Sequence, residues 1–402
     1  MKVAVIGSGI SGLGAGYLLA RAHDVQVFER DARAGGHTRT VRHGGLGLDV
    51  GFLVHNERNY PLLTRLFREL GVSTQESEMS FSVTCPCGLE YSGRRPFAQP
   101  RRLVDPRHLG LLWEIARWLR TAGSSLRELD CEGWSLERYL DERRFSLRFR
   151  RHFLVPLTAA LWSTAPGRAL EYPAAAAIRF FENHGMLGFR RFRWRSLLGG
   201  NDAYVRKISV ELGERLQLGV GVRSVRRSPD GVELITADGE RRQFDAIVIA
   251  THADQALSLL EDPSAAEQRV LGAFSYTRNQ TVLHTDRAQL PATPAARAAW
   301  NYRLGDDGQP TVTYYLNRLQ RLDADRDWCV TLNGDIAEEH VIDRMTFEHP
   351  LFTTETIAAQ RELPALSGVR RTWYAGAYHG NGFHEAGFSS GVAAAESLGV
   401  RW

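Results

Sequence analysis

KVAVIGSGISGLGAG, residues 2–16, opens the chain with an apolar strand that runs into a glycine-rich turn and a helix of small residues. A second short strand ends on Glu29, about twenty residues after the first glycine, which is the spacing of a dinucleotide-binding βαβ unit. In that unit Gly7 makes the tight turn, Gly9 lets the backbone approach a pyrophosphate and Gly12 lets helix and strand pack closely. Glu29 then accepts hydrogen bonds from an adenosine ribose. An ordinary glycine-rich turn is the alternative, but all parts of the unit are in register.

The composition is that of an ordinary globular protein, long enough for two domains or one large composite one. Of the 402 residues, 43% are hydrophobic and 24% are charged, and a net charge of +4 is too small to argue for a nucleic-acid partner. Lys2 and Lys207 are the only lysines among 50 basic residues. We therefore expect no nucleic acid among the partners, and a site chemistry that does not depend on lysine.

Cysteine usage and segment lengths indicate a reducing compartment. The four cysteines are too few and too scattered for a disulfide framework. Cys85-Pro86-Cys87 lacks the CxxC redox spacing and has no partner pair for zinc, so we interpret it as incidental and expect no metal. The first strand begins near residue 3, which leaves no room for a signal peptide, and no other uncharged segment is long enough to span a membrane. We expect a cytoplasmic protein.

The segment after the second strand carries another motif. ERDARAGGHTRT, residues 29–40, follows the pattern Glu-x-x-x-Arg-x-Gly-Gly-x-x-x-Thr and resembles the second motif of the flavin-containing amine oxidase and phytoene desaturase superfamily. In that superfamily the glycine pair and nearby basic side chains hold the FAD pyrophosphate. The resemblance gives these roles to Arg33, Gly35 and Gly36. Many relatives have arginine after the glycine pair, where this chain has His37.

Five later segments are similar to the same superfamily. Residues 49–52 look like its Asp-x-Gly turn, which passes close to the flavin ring, and residues 199–212 resemble the glycine pair and helix that return to the FAD domain. Val222 would offer its backbone to the adenine edge, and Thr251 lies at the crossover into the second domain. Residues 375–387 resemble the segment that places a helix N-terminus against the flavin N1 and C2 carbonyl, where donors stabilise negative charge on the reduced ring.

One departure concerns the ribityl chain. Relatives usually carry Asp or Glu one or two residues after the first glycine of the last segment, where this chain has Ala377 and Tyr378, so the ribityl contact must be made otherwise. The residues that the motifs and the resemblance together assign to FAD are Gly7, Gly9, Ser11, Gly12, Glu29, Arg30, Arg33, Gly35, Gly36, His37, Thr38, Gly51, Phe52, Val222, Thr251, Gly376, Ala377, Gly382, Phe383, His384 and Glu385.

The resemblance covers essentially the whole chain and implies an α/β fold. We expect a Rossmann-type FAD-binding domain of the glutathione-reductase-like kind (amine oxidase subfamily), interleaved with an α+β substrate domain. The predicted FAD-binding domain comprises residues 1–57, 199–262 and 366–402. The predicted substrate domain comprises residues 58–198 and 263–365.

Short signatures narrow the resemblance to a bacterial subfamily of FAD-dependent oxidoreductases. They are GGHT (35–38), NHG (183–185), YLNRLQ (315–320), HP (349–350) and GFHE (382–385). Members of this subfamily tend to accompany methyltransferases that modify phospholipid acyl chains, such as cyclopropane fatty acid synthases. The leading hypothesis is therefore hydride abstraction from a hydrophobic substrate, namely desaturation or dehydrogenation of a lipid acyl chain. No second GxGxxG follows an apolar strand, so the electron acceptor should be oxygen or a quinone rather than a nicotinamide.

Two other functions stay open at this stage. Many amine oxidases of the superfamily hold a water at the flavin N5 with a lysine, and neither lysine of this chain is placed for that role. An oxidase of a hydrophobic amine could still use an aromatic cage built from Tyr302, Tyr315 or Tyr374. The third hypothesis is a flavoprotein without turnover, in which FAD is structural or sensory.

The acid–base group and a membrane contact are the last expectations. Tyr315, Asn317 and His184 are the candidates for the proton acceptor, with Tyr315 and Asn317 on one face of a strand predicted over residues 311–317. A helix predicted over residues 106–121 could bury its apolar stripe in the core or lie on a membrane surface. The basic and aromatic run 189–195 fits a solvated strand face, with lipid headgroups second. A peripheral contact at the inner membrane face is therefore one expectation.

Overall fold

The computed structural model describes residues 1–128, 131, 133–162, 166–188, 192–305 and 310–402. The α-helices of these residues are α1 (Ile10–Leu19), α2 (Pro61–Glu69), α3 (Pro106–Glu128), α4 (Leu136–Glu142), α5 (Leu147–Phe149), α6 (Val155–Trp162), α7 (Ala174–Asn183), α8 (Ala203–Leu212), α9 (Ala253–Leu259), α10 (Ala265–Leu271), α11 (Leu316–Leu319), α12 (Thr354–Leu366) and α13 (His384–Ser397). A π-helical turn spans Arg150–Leu154.

The β-strands of the same residues are β1 (Lys2–Ile6), β2 (Asp24–Glu29), β3 (Thr40–His43), β4 (Leu46–Asp49), β5 (Thr74–Glu76), β6 (Phe81–Cys85), β7 (Leu89–Ser92), β8 (Arg195–Leu197), β9 (Leu216–Leu218), β10 (Val222–Arg227), β11 (Val232–Thr236), β12 (Arg241–Phe244), β13 (Ala246–Ile249), β14 (Ser275–His284), β15 (Trp300–Leu304), β16 (Pro310–Tyr315), β17 (Cys329–Leu332), β18 (Val341–Leu351) and β19 (Thr372–Tyr374). Short 3-10 helices span Pro100–Val104, Pro166–Arg168, Gly213–Arg215, Arg287–Gln289, Pro294–Ala296, Glu338–His340, Val369–Arg371 and Ala377–His379.

A five-stranded parallel sheet in the order β19-β13-β1-β2-β9 contains the predicted N-terminal unit. Val3 and Val5 of the central strand β1 pack on the side of α1, α8 and α13. Ala4 and Ile6 pack on the other side, against the antiparallel sheet β10-β11-β12 and helices α9, α10 and α12. The strand is apolar on both faces because both faces are covered.

Helices α1 and α13 cross closely beside β1. A Cβ on Gly391 would lie 2.3 Å from the carbonyl oxygen of Ser11, and one on Gly387 would lie 2.9 Å from Cγ2 of Ile10. Only glycines allow this approach, which brings the first and the last segments of the chain together at one end of the parallel sheet.

The second large sheet has seven strands in the order β18-β14-β17-β16-β15-β6-β7, antiparallel except for the β15–β6 pair. Helices α3 to α7 pack with it around one core, in which Trp118, Tyr139, Phe149 and Phe181 are almost fully buried. All five strands of the parallel sheet lie in the segments predicted to form the FAD-binding domain. All strands of the seven-stranded sheet lie in the segments predicted to form the substrate domain. The domain boundaries themselves stay a prediction.

One local prediction was wrong in its limits. The strand expected to reach Asn317 ends at Tyr315, and α11 begins at Leu316. Of the basic run 189–195, residues 189–191 lie outside the described residues.

None of the described helices is both long enough and apolar enough to cross a lipid bilayer.

Candidate active site

One cavity of about 810 Å³ runs from the carboxyl ends of β1 and β2 into the space beside the seven-stranded sheet. The carboxyl ends of parallel strands are where ligands bind in sheets of this kind. Eighteen of the 21 residues predicted to contact FAD line this cavity; Gly12, Thr38 and Glu385 do not. The structure therefore brings the separated motifs to one place, while their contact with FAD stays a prediction.

The turn between β1 and α1 forms one part of the cavity wall. Helix α1 begins at Ile10 without a side-chain cap and without an acidic residue in its first turn, so its free N–H groups attract anions. Gly9 comes just before, and a Cβ added to it would meet no atom within 4 Å, because it would project into open space. A Cβ on Gly36 would lie 3.1 Å from Cα of Gly9, so two glycine backbones meet here.

Gly12 acts behind this wall rather than in it. A Cβ at this position would lie 1.9 Å from the carbonyl oxygen of Gly7, and Gly7 itself has a positive φ of 97°. The close packing of helix on strand that the sequence predicts for Gly12 is therefore present, and Gly12 has no surface in the cavity.

Glu29 lies at the end of β2, where a ribose is expected. Its Oε2 accepts hydrogen bonds from the backbone N–H of Ser8 (2.9 Å) and the Ser8 hydroxyl (2.6 Å), and its Oε1 accepts from the N–H of Asp31 (3.0 Å). A carboxylate has about four acceptor sites, so capacity remains for hydroxyl groups in the cavity. Val222, at the start of β10, lines the same end.

Arg33 supplies a partly buried positive charge near the point where the backbones of Gly9 and Gly36 meet. Its guanidinium donates to the carbonyl oxygens of Gly36 (3.0 Å) and Thr38 (3.4 Å), and among the described residues no carboxylate lies within ion-pair distance of it. Burial lowers the pKa of Arg33 below its usual value, and the neighbouring Arg39 adds to this. The group stays charged at neutral pH and suits an anionic ligand.

The opposite end of the wall is formed by Phe52 and the start of α13. The ring of His384 stacks on Phe52 with centroids 4.0 Å apart. Thr38 does not reach the cavity; its Oγ1 lies 2.7 Å from Nε2 of His384 and 2.6 Å from the hydroxyl of Tyr204. Thr38, which is predicted to contact FAD, thus lies behind the cavity wall and orients His384.

Glu385, which is predicted to contact FAD, does not line the cavity. Its Oε1 and Oε2 accept the backbone N–H groups of Leu62 (2.9 Å) and Leu63 (3.0 Å) in the first turn of α2, a helix with no other side-chain cap. Burial raises the pKa of Glu385 above its ordinary value, and these two donors oppose the rise. The carboxylate therefore joins α13 to α2 and points away from the cavity.

Comparison with known proteins identifies the architecture. The family model described as flavin containing amine oxidoreductase matches residues 10–290, well over half of the chain. The chain belongs to this family. It is 26% identical over 275 residues to the protein named flavin-containing monoamine oxidase AofH of Mycobacterium tuberculosis, a match that covers 65% of this chain and 59% of AofH.

Two solved structures show the same fold over almost the full length. A fatty acid isomerase of P. acnes that produces CLA superposes with a TM-score of 0.71 at 16% identity, covering 98% of this chain and 97% of that one. A double mutant of putrescine oxidase gives a TM-score of 0.71 at 15% identity, covering 100% and 99%. The α/β fold with an FAD-binding part, as predicted from the sequence, is confirmed.

The cavity fits the cofactor of this family, FAD. The uncapped α1 N-terminus, the open space in front of Gly9 and the Arg33 guanidinium suit a pyrophosphate, and Glu29 suits the ribose. At the flavin end Gly51, Phe52, Ala377 and residues 382–384 line the wall. Lys2 and Lys207 line no part of it; Lys207 donates to the carbonyl oxygens of Leu70 and Gly71.

Beyond Phe383 the cavity continues into a region that we call the apolar end. Its described lining residues are Met79, Leu161, Trp162, Phe180, His184, Met186, Trp194, Trp300, Tyr314 and Phe352. Ring contacts make it continuous, since Phe180 lies 5.1 Å from Phe383, 5.0 Å from Trp162 and 3.7 Å from His184 between centroids. None of these residues is a carboxylate or a lysine. The sequence predicted only His184, because the others come from seven separate elements and loops.

His184 is the catalytic candidate that the structure places in the cavity. Its Nδ1 lies 2.9 Å from the carbonyl oxygen of Phe180, and because a carbonyl only accepts, Nδ1 carries the hydrogen. Burial lowers the pKa of His184 to about 4, so the ring is neutral at pH 7. The unprotonated Nε2 is then available as a proton acceptor.

Tyr315 and Asn317, which are predicted as catalytic residues, lie outside the cavity. The Tyr315 hydroxyl donates to Asp327 (2.5 Å), and the Asn317 amide bonds the backbone of Arg326 and Trp328. Tyr314 faces the cavity instead, because successive side chains of β16 point to opposite faces.

A group of histidines lines the cavity between the point where Gly9 and Gly36 meet and strand β18. His37 and His349 lie 5.4 Å apart between ring centroids. Nε2 of His37 lies 2.9 Å from the carbonyl oxygen of Glu348, so a neutral His37 has its lone pair on Nδ1. Burial, with His252 nearby, lowers its pKa to about 4.

His349 has the opposite tautomer, fixed by a chain of amides. The N–H of Gln280 donates to Oδ1 of Asn333 (3.0 Å), so Nδ2 of Asn333 donates to Oδ1 of Asn279 (2.8 Å). Nδ2 of Asn279 then donates to Nδ1 of His349 (3.0 Å), and the neutral ring carries its hydrogen on Nε2. Burial lowers the pKa of His349 to about 3. From the sequence, His37 is predicted to contact FAD and His349 appears only in a short signature. Strands β14 and β18, which hold His349 and its amide partner, pair in the sheet although they are far apart in the chain.

Proposed function

We propose that this protein is an FAD-dependent oxidoreductase that takes a hydride from a hydrophobic substrate, namely an acyl chain of a lipid that it desaturates. The observation that carries the proposal is the apolar end, whose described lining offers rings and methionines and only a neutral histidine as a titratable base. Binding there stabilises an uncharged chain by roughly 0.8 kcal/mol for each buried methylene group. A charged group would lose its hydration without compensation.

The alternative, an amine oxidase, has less support from this chain. None of the three tyrosines named for an aromatic cage lines the cavity: Tyr302 is buried in the core, Tyr315 bonds Asp327, and the Tyr374 hydroxyl donates to Glu267 (2.6 Å). The fold is shared by a fatty acid isomerase and by putrescine oxidase, so it accommodates either class of substrate. The lining residues, rather than the fold, therefore favour the acyl chain.

The protein would orient the chain and receive one proton. When bound, FAD supplies the acceptor for the hydride, and oxygen or a quinone would later take the two electrons. Desaturation also releases a proton from the neighbouring carbon, and Nε2 of His184 is the acceptor that we propose for it. The rings of Phe180 and Trp194, on either side of His184, keep water from the reacting carbons.

Anaerobic reduction of the bound flavin tests this proposal. Holoprotein mixed without oxygen with phospholipid vesicles that contain monounsaturated chains should lose its yellow colour, and hydrophobic amines should not bleach it. His184→Gln should slow bleaching by about 10²- to 10⁴-fold with unchanged flavin content, whereas the matched control His43→Gln, at an exposed position, should not. Bleaching by amines alone would replace the proposal with amine oxidation, and no bleaching by either would favour a flavoprotein without turnover.

We also propose a peripheral membrane contact through the outer side of α3. The helix buries Leu111 and Trp118, as the core alternative requires, yet Leu109 and Trp113 are 43% and 60% exposed. Two more exposed apolar residues, Leu103 and Val104, come just before α3 in the chain. Exposed Leu147 is close to α3 in space, because the backbone N–H of its neighbour Ser146 donates to Glu114 of α3. Apolar side chains among arginines suit an anionic bilayer surface.

Vesicle flotation tests the contact. The wild type should float with vesicles that contain anionic phospholipid and should detach at high salt, while a Leu109→Asp, Trp113→Glu double variant should stay in the aqueous phase with normal flavin content. The control Val210→Asp, which changes an even more exposed apolar residue on α8, should still float. Equal flotation of all three proteins would exclude α3 as the contact.

A further inference from the structure

A cluster of two thiols and an imidazole lies outside the cavity in which we place FAD and the proposed substrate. Cys85 ends β6, Cys87 follows in the turn to β7, and His152 lies in the π-helical turn after α5. A ligand atom of each residue lies within 4.8 Å of the other two. None of the three lines the cavity. The cluster is thus separate from the candidate active site.

The local geometry suits a metal–thiolate site. The backbone N–H of Cys87 donates to Sγ of Cys85 (3.3 Å), which stabilises a thiolate at the sulfur. His152 is 5% exposed, and its Nδ1 is buried without a hydrogen-bond partner among the described residues. A buried polar nitrogen without a partner is unusual and needs an explanation such as an ion.

The surroundings hold the imidazole in place and leave an entry path. The hydroxyl of Tyr91 on β7 donates to the carbonyl oxygen of His152 (2.7 Å), so the hairpin and the π-helical turn are already joined. π-helical turns inside helices are often found at functional sites. Cys87 is exposed, so an ion can reach the cluster from solvent.

We propose that Cys85, Cys87 and His152 bind one Zn²⁺ ion, with a solvent molecule in the fourth position. Two thiolates neutralise the dication, and sulfur and imidazole are the ligands that zinc prefers. Calcium and magnesium require oxygen ligands, which the cluster does not contain. The ion would join the β6–β7 hairpin, at the edge of the seven-stranded sheet, to the helical layer. The interpretation of Cys85-Pro86-Cys87 as incidental rested on a missing partner, which the fold supplies 65 residues after Cys87.

Metal content and affinity test the proposal. Full-length protein, purified with a thiol reductant and stripped with a chelator, is loaded with Zn²⁺, desalted and assayed for zinc per chain. We expect one zinc for each wild-type chain, and Cys85→Ser, Cys87→Ser and His152→Gln should each weaken zinc binding at least about tenfold in competition with a coloured chelator. The matched control Cys329→Ala removes a buried thiol outside the cluster and should bind zinc like the wild type.

Cobalt gives a readout that does not depend on how well the variants fold. Co²⁺ added to the stripped wild type should produce tetrahedral absorption bands in the red, where oxidised flavin is transparent, and the bands should disappear on addition of Zn²⁺. A wild type that retains no zinc and shows no such bands would overturn the proposal. So would zinc affinity that is unchanged in all three ligand variants, or a disulfide between Cys85 and Cys87 in protein handled without oxidant.

Discussion

Replacing Gly9 by alanine should weaken the binding of FAD and leave the stability of the apoprotein almost unchanged. Gly9 has φ −66° and ψ −179°, a conformation that alanine adopts without strain, and the added Cβ would meet no protein atom within 4 Å. The apoprotein should therefore keep its free energy of unfolding within about 1 kcal/mol of the wild type. The methyl group would occupy the space in front of the α1 N-terminus, where we place the pyrophosphate.

The expected loss of FAD affinity follows from that crowding. An added methyl group in a packed site costs about 1–3 kcal/mol, which corresponds to a roughly 5- to 150-fold higher Kd for FAD. The Kd is measured by the quenching of flavin fluorescence when apoprotein is titrated with FAD, and apoprotein stability by urea unfolding.

Two other glycines serve as controls. Gly110→Ala, on the exposed side of α3 with open space around its Cβ, should change neither quantity by much. Gly12→Ala would place Cβ 1.9 Å from the carbonyl oxygen of Gly7 and should destabilise the apoprotein itself. An alanine at position 9 that binds FAD as tightly as glycine would refute the placement of the pyrophosphate, and an unfolded apoprotein would refute the open space.

Two further predictions concern stability. Glu385→Ala removes the acceptor for the N–H groups of Leu62 and Leu63 and should lower the free energy of unfolding in urea by about 1–2 kcal/mol; an equal stability would contradict its role in capping α2. The pKa values of His184 and His349 lie below that of an unfolded histidine, about 6.5, so the unfolded chain binds more protons between about pH 6.5 and pH 3. Stability of the apoprotein should therefore fall as pH falls through that window, and His184→Gln should flatten the dependence in urea melts at a series of pH values.

Local sequence signals predicted the FAD half well. The strand, turn and helix of residues 2–20 are specified by neighbouring residues, and each glycine there has a steric task that can be read without the rest of the chain. The same holds for Glu29, whose position follows from the length of one βαβ unit. His184 could be predicted as a residue of the cavity because the short signature that contains it lies at the end of one helix, α7.

The structure differs from the sequence predictions where contacts between distant segments decide the position of a side chain. Tyr315 and Asn317 were placed on one strand face, but β16 ends at Tyr315 and the cavity lies on the face of Tyr314. Glu385 belongs to a cofactor motif, yet its carboxylate caps a helix more than 300 residues earlier in the chain. Such pairings depend on how two layers pack, and periodicity within one segment carries no information about them.

In the function that we propose, a lipid acyl chain lies over the flavin in the apolar end and loses two hydrogens there. The most direct measurement mixes oxidised holoprotein with a phospholipid of known acyl composition under anaerobic conditions, then compares the fatty acids by mass spectrometry with the amount of flavin reduced. We expect one acyl chain with one additional double bond for each flavin bleached. Flavin that stays oxidised while every acyl chain keeps its mass, or flavin reduced only by an amine that is converted to its imine product, would contradict the proposal.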